Sequence, residues 1–261
     1  MVFGPETSIT TYSSYTDNYL GYLCGLLIKH KSLKIPPLPK KVLNSIKSSD
    51  DLKNMYQELT KPYRPSDQSG AINVVDKTIR SMIKEYVSQD PTFINHLIIW
   101  FNAKKHFISE WLADGIKEIM PKSKLILIKL SIITNNEFNH ANALIINPKN
   151  KTVERFDPYG VVPFVKQGEL DDTIGKYFKK HFPGFTYLTP KDIAGGYIFQ
   201  IFSDESNPEN HVLGDPGGFC MAWILWYTEM RLMNLGIEPL NLVNSAIYRI
   251  VSSGHTFIEY I

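Results

Sequence analysis

Cys220 is the residue of this sequence best placed to act as a nucleophile. It begins a predicted apolar helix, FCMAWILWYTEMRLMN, and follows the turn-forming residues 215–218. A helix N-terminus presents free N–H groups and the positive end of the helix dipole, which favour the thiolate form of a cysteine. The glycines before it would let main-chain N–H groups approach a developing oxyanion. A buried packing role is the alternative for any free cysteine, and Cys24, in GYLCGLLI, is assigned that role.

A cysteine nucleophile needs a base and a third group that orients the base. His140 begins a predicted strand after the turn at 135–139, and Asp157 ends the next β segment, seventeen residues later. If the two strands pair through the turn PKNK, the start of the first lies beside the end of the second. The hairpin therefore predicts that His140 and Asp157 meet at one edge of the sheet. Taken singly, His140 could be a polar turn residue and Asp157 a cap of the Asp-Pro turn.

The other histidines lack such an arrangement. His211 lies in a predicted loop nine residues before Cys220, but no carboxylate is placed to orient it. The remaining five lie in or beside predicted helices with neighbouring lysines, or near the C-terminus: His30, His96, His106, His181 and His255. No two His or Cys residues have the spacing of a zinc site, and no glycine cluster forms a nucleotide-binding motif. We therefore expect no metal and no cofactor.

The composition is that of a globular protein without a polyanion-binding surface. Twenty-eight Lys and Arg residues face twenty-six Asp and Glu residues, which gives a formal charge of +2. Nucleic acid is therefore not an expected ligand, although it is left open as an activator. A hydrophobic fraction of 43% in 261 residues is enough for a large core. With no apolar run near the roughly 18 residues of a membrane span and no signal peptide, we expect an intracellular protein without a membrane partner.

The elements that would position these residues predict an α+β fold. Its mixed, largely antiparallel sheet would carry the Cys220 helix, with an N-terminal helical layer on the same domain. Strands are predicted over 125–134, 141–147, 152–156, 185–188 and 197–202, and helices over 19–29, 50–59, 171–182 and 239–252, with a helical region at 73–119. We divide the chain into a partly irregular N-terminal extension, 1–72, and a catalytic domain, 73–261.

Four strings in the second part of the chain carry a family resemblance. They are HANALIIN at 140–147, ERFDPYG at 154–160, FQ at 199–200 and DPGGFCMAW at 215–223. Together with the order His, Asp, Cys, they resemble the superfamily of adenain and the SUMO-specific proteases, and are most similar to cysteine proteases of large DNA viruses and virophages. The resemblance covers about residues 125–235. It implies that Cys220 is the nucleophile, His140 the general base and acid, and Asp157 the group that orients the imidazole.

The oxyanion hole is where the sequence departs from the family. Better-known members have a Gln a few residues before the Cys, but here the corresponding positions, 213–215, are Leu, Gly and Asp. Gln200, twenty residues upstream of the Cys, is assigned this role, and Asp215 is the second candidate. Because an ionised carboxylate would repel an oxyanion, Asp215 is better suited to fixing the loop.

The resemblance implies a cysteine endopeptidase that processes viral capsid or scaffold precursors during virion maturation. Such an enzyme would act on a protein substrate in the host cytoplasm, at the virus factory, and in the virion. One alternative is a deubiquitinase or a protease specific for ubiquitin-like proteins, which changes the substrate and keeps the chemistry. Further alternatives are an acetyltransferase or a non-enzymatic interaction module on the same fold. Whether an activating peptide or DNA is needed is left open.

Overall fold

The computed structural model describes residues 16–61, 98–133, 139–160, 165–196, 198–199 and 219–260, together with residues 77, 80, 81 and 84. The predicted domain boundary near residue 72 lies outside the described residues. Among the described residues, no helix combines the length and the apolar character needed to cross a bilayer.

The described elements are, in chain order, α1 (Thr16–Lys29), β1 (Leu33–Lys34), α2 (Lys40–Leu43), α3 (Ser49–Thr60), β2 (Ile98–Asn102), β3 (Lys105–Ile108), α4 (Leu112–Ile119), β4 (Leu125–Ile133), β5 (Asn139–Asn147), β6 (Thr152–Phe156), α5 (Gln167–His181), β7 (Thr186–Leu188), α6 (Pro190–Ala194), α7 (Cys220–Met233), α8 (Pro239–Ser252) and α9 (Phe257–Tyr260).

The described strands form one mixed sheet of seven strands. Its order is β3-β2-β4-β5-β6-β7, with β1 also paired to β4. The long ladders β4–β5 and β5–β6 at the centre are antiparallel, whereas β1–β4, β2–β4 and β6–β7 are short parallel ladders. The predicted α+β class, with its mixed sheet and helices packed against it, is confirmed.

Both faces of the sheet are covered by helices. Alternate residues of β4 and β5 turn to opposite faces, which explains why both strands read as nearly continuous apolar runs. On one face the core joins strand residues to α7: Leu127, Ala143, Ile145 and Phe156 with Trp223 and Tyr227. On the other face the core joins strand residues to α4 and α5: Ile128, Leu144, Ile146 and Val153 with Ile116, Ile174 and Phe178. The sheet is thus held between α7 and the pair α4 and α5.

The N-terminal residues contribute to the same core. Leu33 of β1 pairs with Leu125 of β4, and Leu23 of α1 is buried in the cluster on the α7 face. At the end of α1, Lys29 and His30 both contact Glu229 of α7, at 2.6 Å and 2.9 Å. The helix α1 is therefore anchored directly on the helix that begins with Cys220.

The helical prediction over 73–119 is wrong between residues 98 and 108, which form the antiparallel hairpin β2–β3. The side chains of β2 alternate between two cores, since Ile98 and Trp100 pack on the α4 and α5 face whereas Ile99 packs in a third cluster. A strand buried on both faces has no polar residues to reveal its period of two. The turn signal is Asn102, whose Oδ1 accepts from the N–H groups of Lys104 and Lys105.

The strand predicted over 197–202 is wrong at the two residues that the structure describes, Ile198 and Phe199, neither of which lies in a strand. Both side chains are buried on the α7 face, and the Phe199 ring stacks on Trp223 with centroids 4.4 Å apart. Their hydrophobicity therefore serves packing against a helix. The other four positions of that prediction lie outside the described residues.

A buried ion pair fixes α7 on the sheet. The Glu154 carboxylate of β6 accepts two hydrogen bonds from the Arg231 guanidinium, at 2.9 Å and 2.8 Å, and one from the Tyr227 hydroxyl at 3.1 Å. Glu154 and Arg231 are at most 1% exposed. The pair therefore joins the C-terminal half of α7 to β6.

We expect Arg231→Met to lower the free energy of unfolding by about 3–5 kcal/mol, because it leaves the buried Glu154 carboxylate without its cation. Chemical denaturation followed by circular dichroism measures this loss. The double variant with Glu154→Gln should recover part of it, since no charge is then buried alone. A double variant that is no more stable than Arg231→Met would contradict this account of the pair.

Candidate active site

The hairpin β5–β6 positions His140 and Asp157. Its ladder runs from Asn147 opposite Thr152 to Ala143 opposite Phe156, and Asn147 Oδ1 closes the turn by accepting from the N–H groups of Lys149 and Asn150. The first residues of β5 extend past the end of β6, and Asp157 directly follows β6. The predicted juxtaposition is present, with His140 Nε2 2.7 Å from Asp157 Oδ1.

The Asp157 carboxylate is held in a buried turn. Its Oδ1 also accepts from the Tyr159 N–H at 3.0 Å, and its own carbonyl accepts from the Gly160 N–H at 2.8 Å. Asp157 is fully buried, and His140 is 7% exposed. The Tyr159 ring lies edge-on to the imidazole, with centroids 5.6 Å apart. These contacts limit the rotation of both side chains and exclude water from between them.

Cys220 is the first residue of α7 and reaches the same place from the opposite layer. Its side chain is hydrogen-bonded to His140, and it is 2% exposed. The first turn of a helix has N–H groups without acceptors inside the helix, and the Cys220 N–H is one of these by position. The structure therefore supplies, beside the sulfur, an imidazole and a main-chain donor that could bind an oxyanion.

The electrostatics of the pair favour a charged imidazole. Burial by itself would lower the pKa of His140, but the charge and the hydrogen bond of Asp157, with smaller contributions from Cys220, raise that pKa to about 10. Burial acts in the opposite direction on Asp157, whose pKa is lowered by His140 and Arg155. The imidazolium thus stabilises the fold below its unfolded pKa of about 6.5. This stabilisation is lost only as the pH rises through about 10.

The structure brings together three of the predicted site residues, Cys220, His140 and Asp157. Gln200 and Asp215, the two candidates for the oxyanion hole, lie outside the described residues, as does His211. Two other histidines make contacts away from this site: His30 is hydrogen-bonded to Glu229, and the His106 ring stacks with that of Trp100 at a centroid distance of 5.7 Å. Among the described residues, no group of His, Cys, Asp and Glu side chains could hold a metal ion.

Sequence reasoning misses Arg155 and Asn142, which lie next to the site. Arg155 Nη1 is 3.6 Å from Asp157 Oδ2 and donates to Asn142 Oδ1 at 2.7 Å. A signal for Asn142 is present in the sequence, because it is a polar residue in the otherwise apolar run ANALII, whereas Arg155 does not stand out in TVERF. Buried polar side chains need partners, so such positions point to a hydrogen-bonded network.

We expect iodoacetamide to alkylate Cys220 before Cys24 at neutral pH. Accessibility alone favours Cys24, which is partly exposed. The His140 ring beside the sulfur and the free N–H groups at the start of α7 favour reaction at Cys220. Peptide mapping by mass spectrometry measures both rates, and Cys24→Ala and Cys220→Ala serve as controls. Labelling of Cys24 at an equal or higher rate would contradict the assignment.

Comparison with known proteins identifies one viral relative. No family model matches the chain. The chain is 25% identical, over 262 residues, to a protein of Acanthamoeba polyphaga mimivirus named putative ankyrin repeat protein L371. The aligned region is 95% of this chain and 31% of that relative, so the chain spans about a third of the length of the curated relative it matches.

Proposed function

We propose that the protein is a cysteine endopeptidase related to adenain and the SUMO-specific proteases. Cys220 is the nucleophile, His140 the general base and acid, and Asp157 the residue that orients the imidazole. The observation that carries this proposal is the position of the His140 ring, which is hydrogen-bonded both to Cys220 at a helix N-terminus and to Asp157 at 2.7 Å. This is the arrangement in which a thiol is activated by a base whose tautomer is fixed by a third group.

The reaction proceeds through a thioester. The Cys220 thiolate, formed when His140 takes the thiol proton, attacks the carbonyl carbon of the peptide bond. The Cys220 N–H stabilises the resulting oxyanion, and Gln200 is proposed as a second donor. His140 then gives its proton to the leaving amine as the C–N bond breaks. Water, deprotonated by His140, attacks the thioester and releases the carboxylic acid and the thiol.

We propose that the biological substrates are precursors of viral capsid or scaffold proteins, cleaved in the host cytoplasm and in the virion. Two observations support a viral role: the resemblance of the strings around the site to proteases of large DNA viruses, and the mimivirus relative. The composition, without an excess of basic residues, fits a protein substrate better than a nucleic acid.

Cleavage of a proteome-derived peptide library, read by mass spectrometry, tests the activity without assuming a sequence preference. We expect new peptide termini with the wild-type protein and none with the matched control Cys220→Ala. Electrophilic ubiquitin and SUMO probes form the second arm, and their covalent attachment to Cys220 would favour the ubiquitin-like alternative. Absence of cleavage in every arm would contradict the proposal and favour an interaction module, in line with the name of the viral relative.

A further inference from the structure

A buried guanidinium lies directly behind the Asp157 carboxylate. Along β6, Glu154 and Phe156 face α7, so that Arg155 faces the α5 side of the sheet. The Arg155 side chain is fully buried, and its Nη1 is 3.6 Å from Asp157 Oδ2. A cation is expensive to bury unless it is paired and hydrogen-bonded. The buried Arg155 guanidinium therefore needs both a paired anion and hydrogen-bond acceptors around it.

Three side chains fix the Arg155 guanidinium in place. Asp171 of α5 accepts from Nε at 2.7 Å and from Nη2 at 3.1 Å, Asn142 of β5 accepts from Nη1 at 2.7 Å, and Gln167 of α5 accepts from Nη2. The Tyr187 hydroxyl of β7 donates to Asp171 Oδ1 at 2.8 Å. The guanidinium is thus held by a bidentate carboxylate and two amides, which fixes both its plane and its position.

The two oxygens of Asp157 have different surroundings. Oδ1 accepts from the His140 ring and from the Tyr159 N–H. Oδ2 is buried and has no hydrogen-bond partner among the described residues, so the opposite charge facing it is the guanidinium of Arg155. Attraction between Oδ2 and Arg155 favours the rotamer in which Oδ1 points at the imidazole. Rotation of the carboxylate would separate both charge pairs at once.

We propose that Arg155 is a positioning residue of the site: its guanidinium, fixed by Asn142, Gln167 and Asp171, holds the Asp157 carboxylate in the orientation in which Oδ1 accepts from His140. This inference rests on the proposed function of Cys220 and His140. Successive contacts then join groups of alternating charge, Asp171, Arg155, Asp157 and His140, and the last of these contacts Cys220. Removing Arg155 weakens the hold on the Asp157 carboxylate, and a displaced carboxylate stabilises the His140 imidazolium less well.

The test measures the rate of Cys220 alkylation by iodoacetamide between pH 5 and pH 9, so it requires no known substrate. We expect Arg155→Met to lower the rate at pH 6 by about tenfold relative to the wild type. In metalloproteins, removing a residue that orients a metal-binding side chain has an effect of this size or larger, and Arg155 is proposed to act on His140 in a comparable way through Asp157. The difference should narrow as the pH rises, because alkylation of a cysteine then depends less on a neighbouring cation. A merely structural role of Arg155 would not change the pH profile of a folded variant.

Arg231→Met is the matched control, since it also removes a buried guanidinium that binds a carboxylate of the same hairpin. It should lower stability without moving the alkylation profile. If Arg155→Met does not fold, Arg155→Lys is compared with Arg231→Lys. Each variant retains a cation and loses a guanidinium, but only in the first did the lost guanidinium face Asp157. Arg155→Lys should then show a displacement in the same direction and of smaller size.

The outcomes separate the two proposals. If the alkylation rate of wild-type Cys220 depends on pH in the same way as that of an unactivated thiol, both the proposed function and the role of Arg155 are contradicted. An activated profile in the wild type that is unchanged in the folded Arg155 variant, or moved equally by the Arg231 control, would overturn the role of Arg155 alone.

Discussion

Cys220→Ala and His140→Ala should each reduce peptide hydrolysis to the detection limit. In the proposed mechanism, the first removes the sulfur that forms the thioester, and the second removes the base that accepts the thiol proton and returns it to the leaving amine. Loss of a nucleophile or base from a comparable triad lowers kcat by about 10⁶-fold. Cleavage of a peptide identified in the library experiment, followed by mass spectrometry, measures the effect.

Two further variants control this result. Cys24→Ala should retain full activity, because Cys24 lies in α1 and is partly exposed. His140→Gln retains a donor for the buried Asp157 carboxylate, so it separates loss of the base from loss of stability. Substantial turnover by folded Cys220→Ala, or full dependence of activity on Cys24, would show that the chemistry resides elsewhere.

Asp157→Asn should lower kcat/KM by up to about 10⁴-fold and leave a measurable activity. An amide of the same shape keeps the geometry but does not stabilise the imidazolium, and this substitution has an effect of that size in serine proteases. It should also change the pH profile. Without the carboxylate, the main cause that raises the pKa of His140 is lost, whereas the burial that lowers it remains.

The sign of the pH effect follows from the proposed role of His140 as general acid. In the wild type, the imidazolium persists until the pH rises through about 10, so we expect the alkaline limb of kcat/KM there. In Asp157→Asn, the imidazolium is lost at a lower pH, below the usual value of about 6.5 when burial dominates. We therefore expect the alkaline limb to move to lower pH. A limb that stays at its wild-type position in this variant would contradict the role assigned to Asp157.

The candidate site was largely predictable because its signals are local. A four-residue turn and two β segments place the start of β5 beside the end of β6, so a spacing of seventeen residues already implies a contact between His140 and Asp157. Likewise, Cys220 follows turn residues and precedes an apolar run, which marks a helix start. Neither inference needs knowledge of how distant parts of the chain meet.

The hairpin β2–β3 and the partners of the buried charges were not predictable in this way. Ile98, Ile99 and Trp100 form an unbroken apolar run because both faces of β2 are covered, and such a run does not distinguish a strand from a helix. Arg155 and Glu154 are adjacent in sequence, yet one contacts α5 and the other α7. The alternation of the strand sends them to opposite faces, but only the packing of the layers decides what each one meets.

The amino-acid sequence by itself determined the local elements of the candidate site: a cysteine at a helix start, a histidine at the start of a strand, and a carboxylate at the end of the next one. Only the tertiary structure decided that α7 brings the sulfur to the imidazole, and that Arg155, held from α5, lies behind the carboxylate. The physical reason is the separation along the chain of the residues that interact. Turns, caps and strand alternation depend on neighbours within a few residues, whereas contacts between layers depend on burying many side chains from distant segments at once.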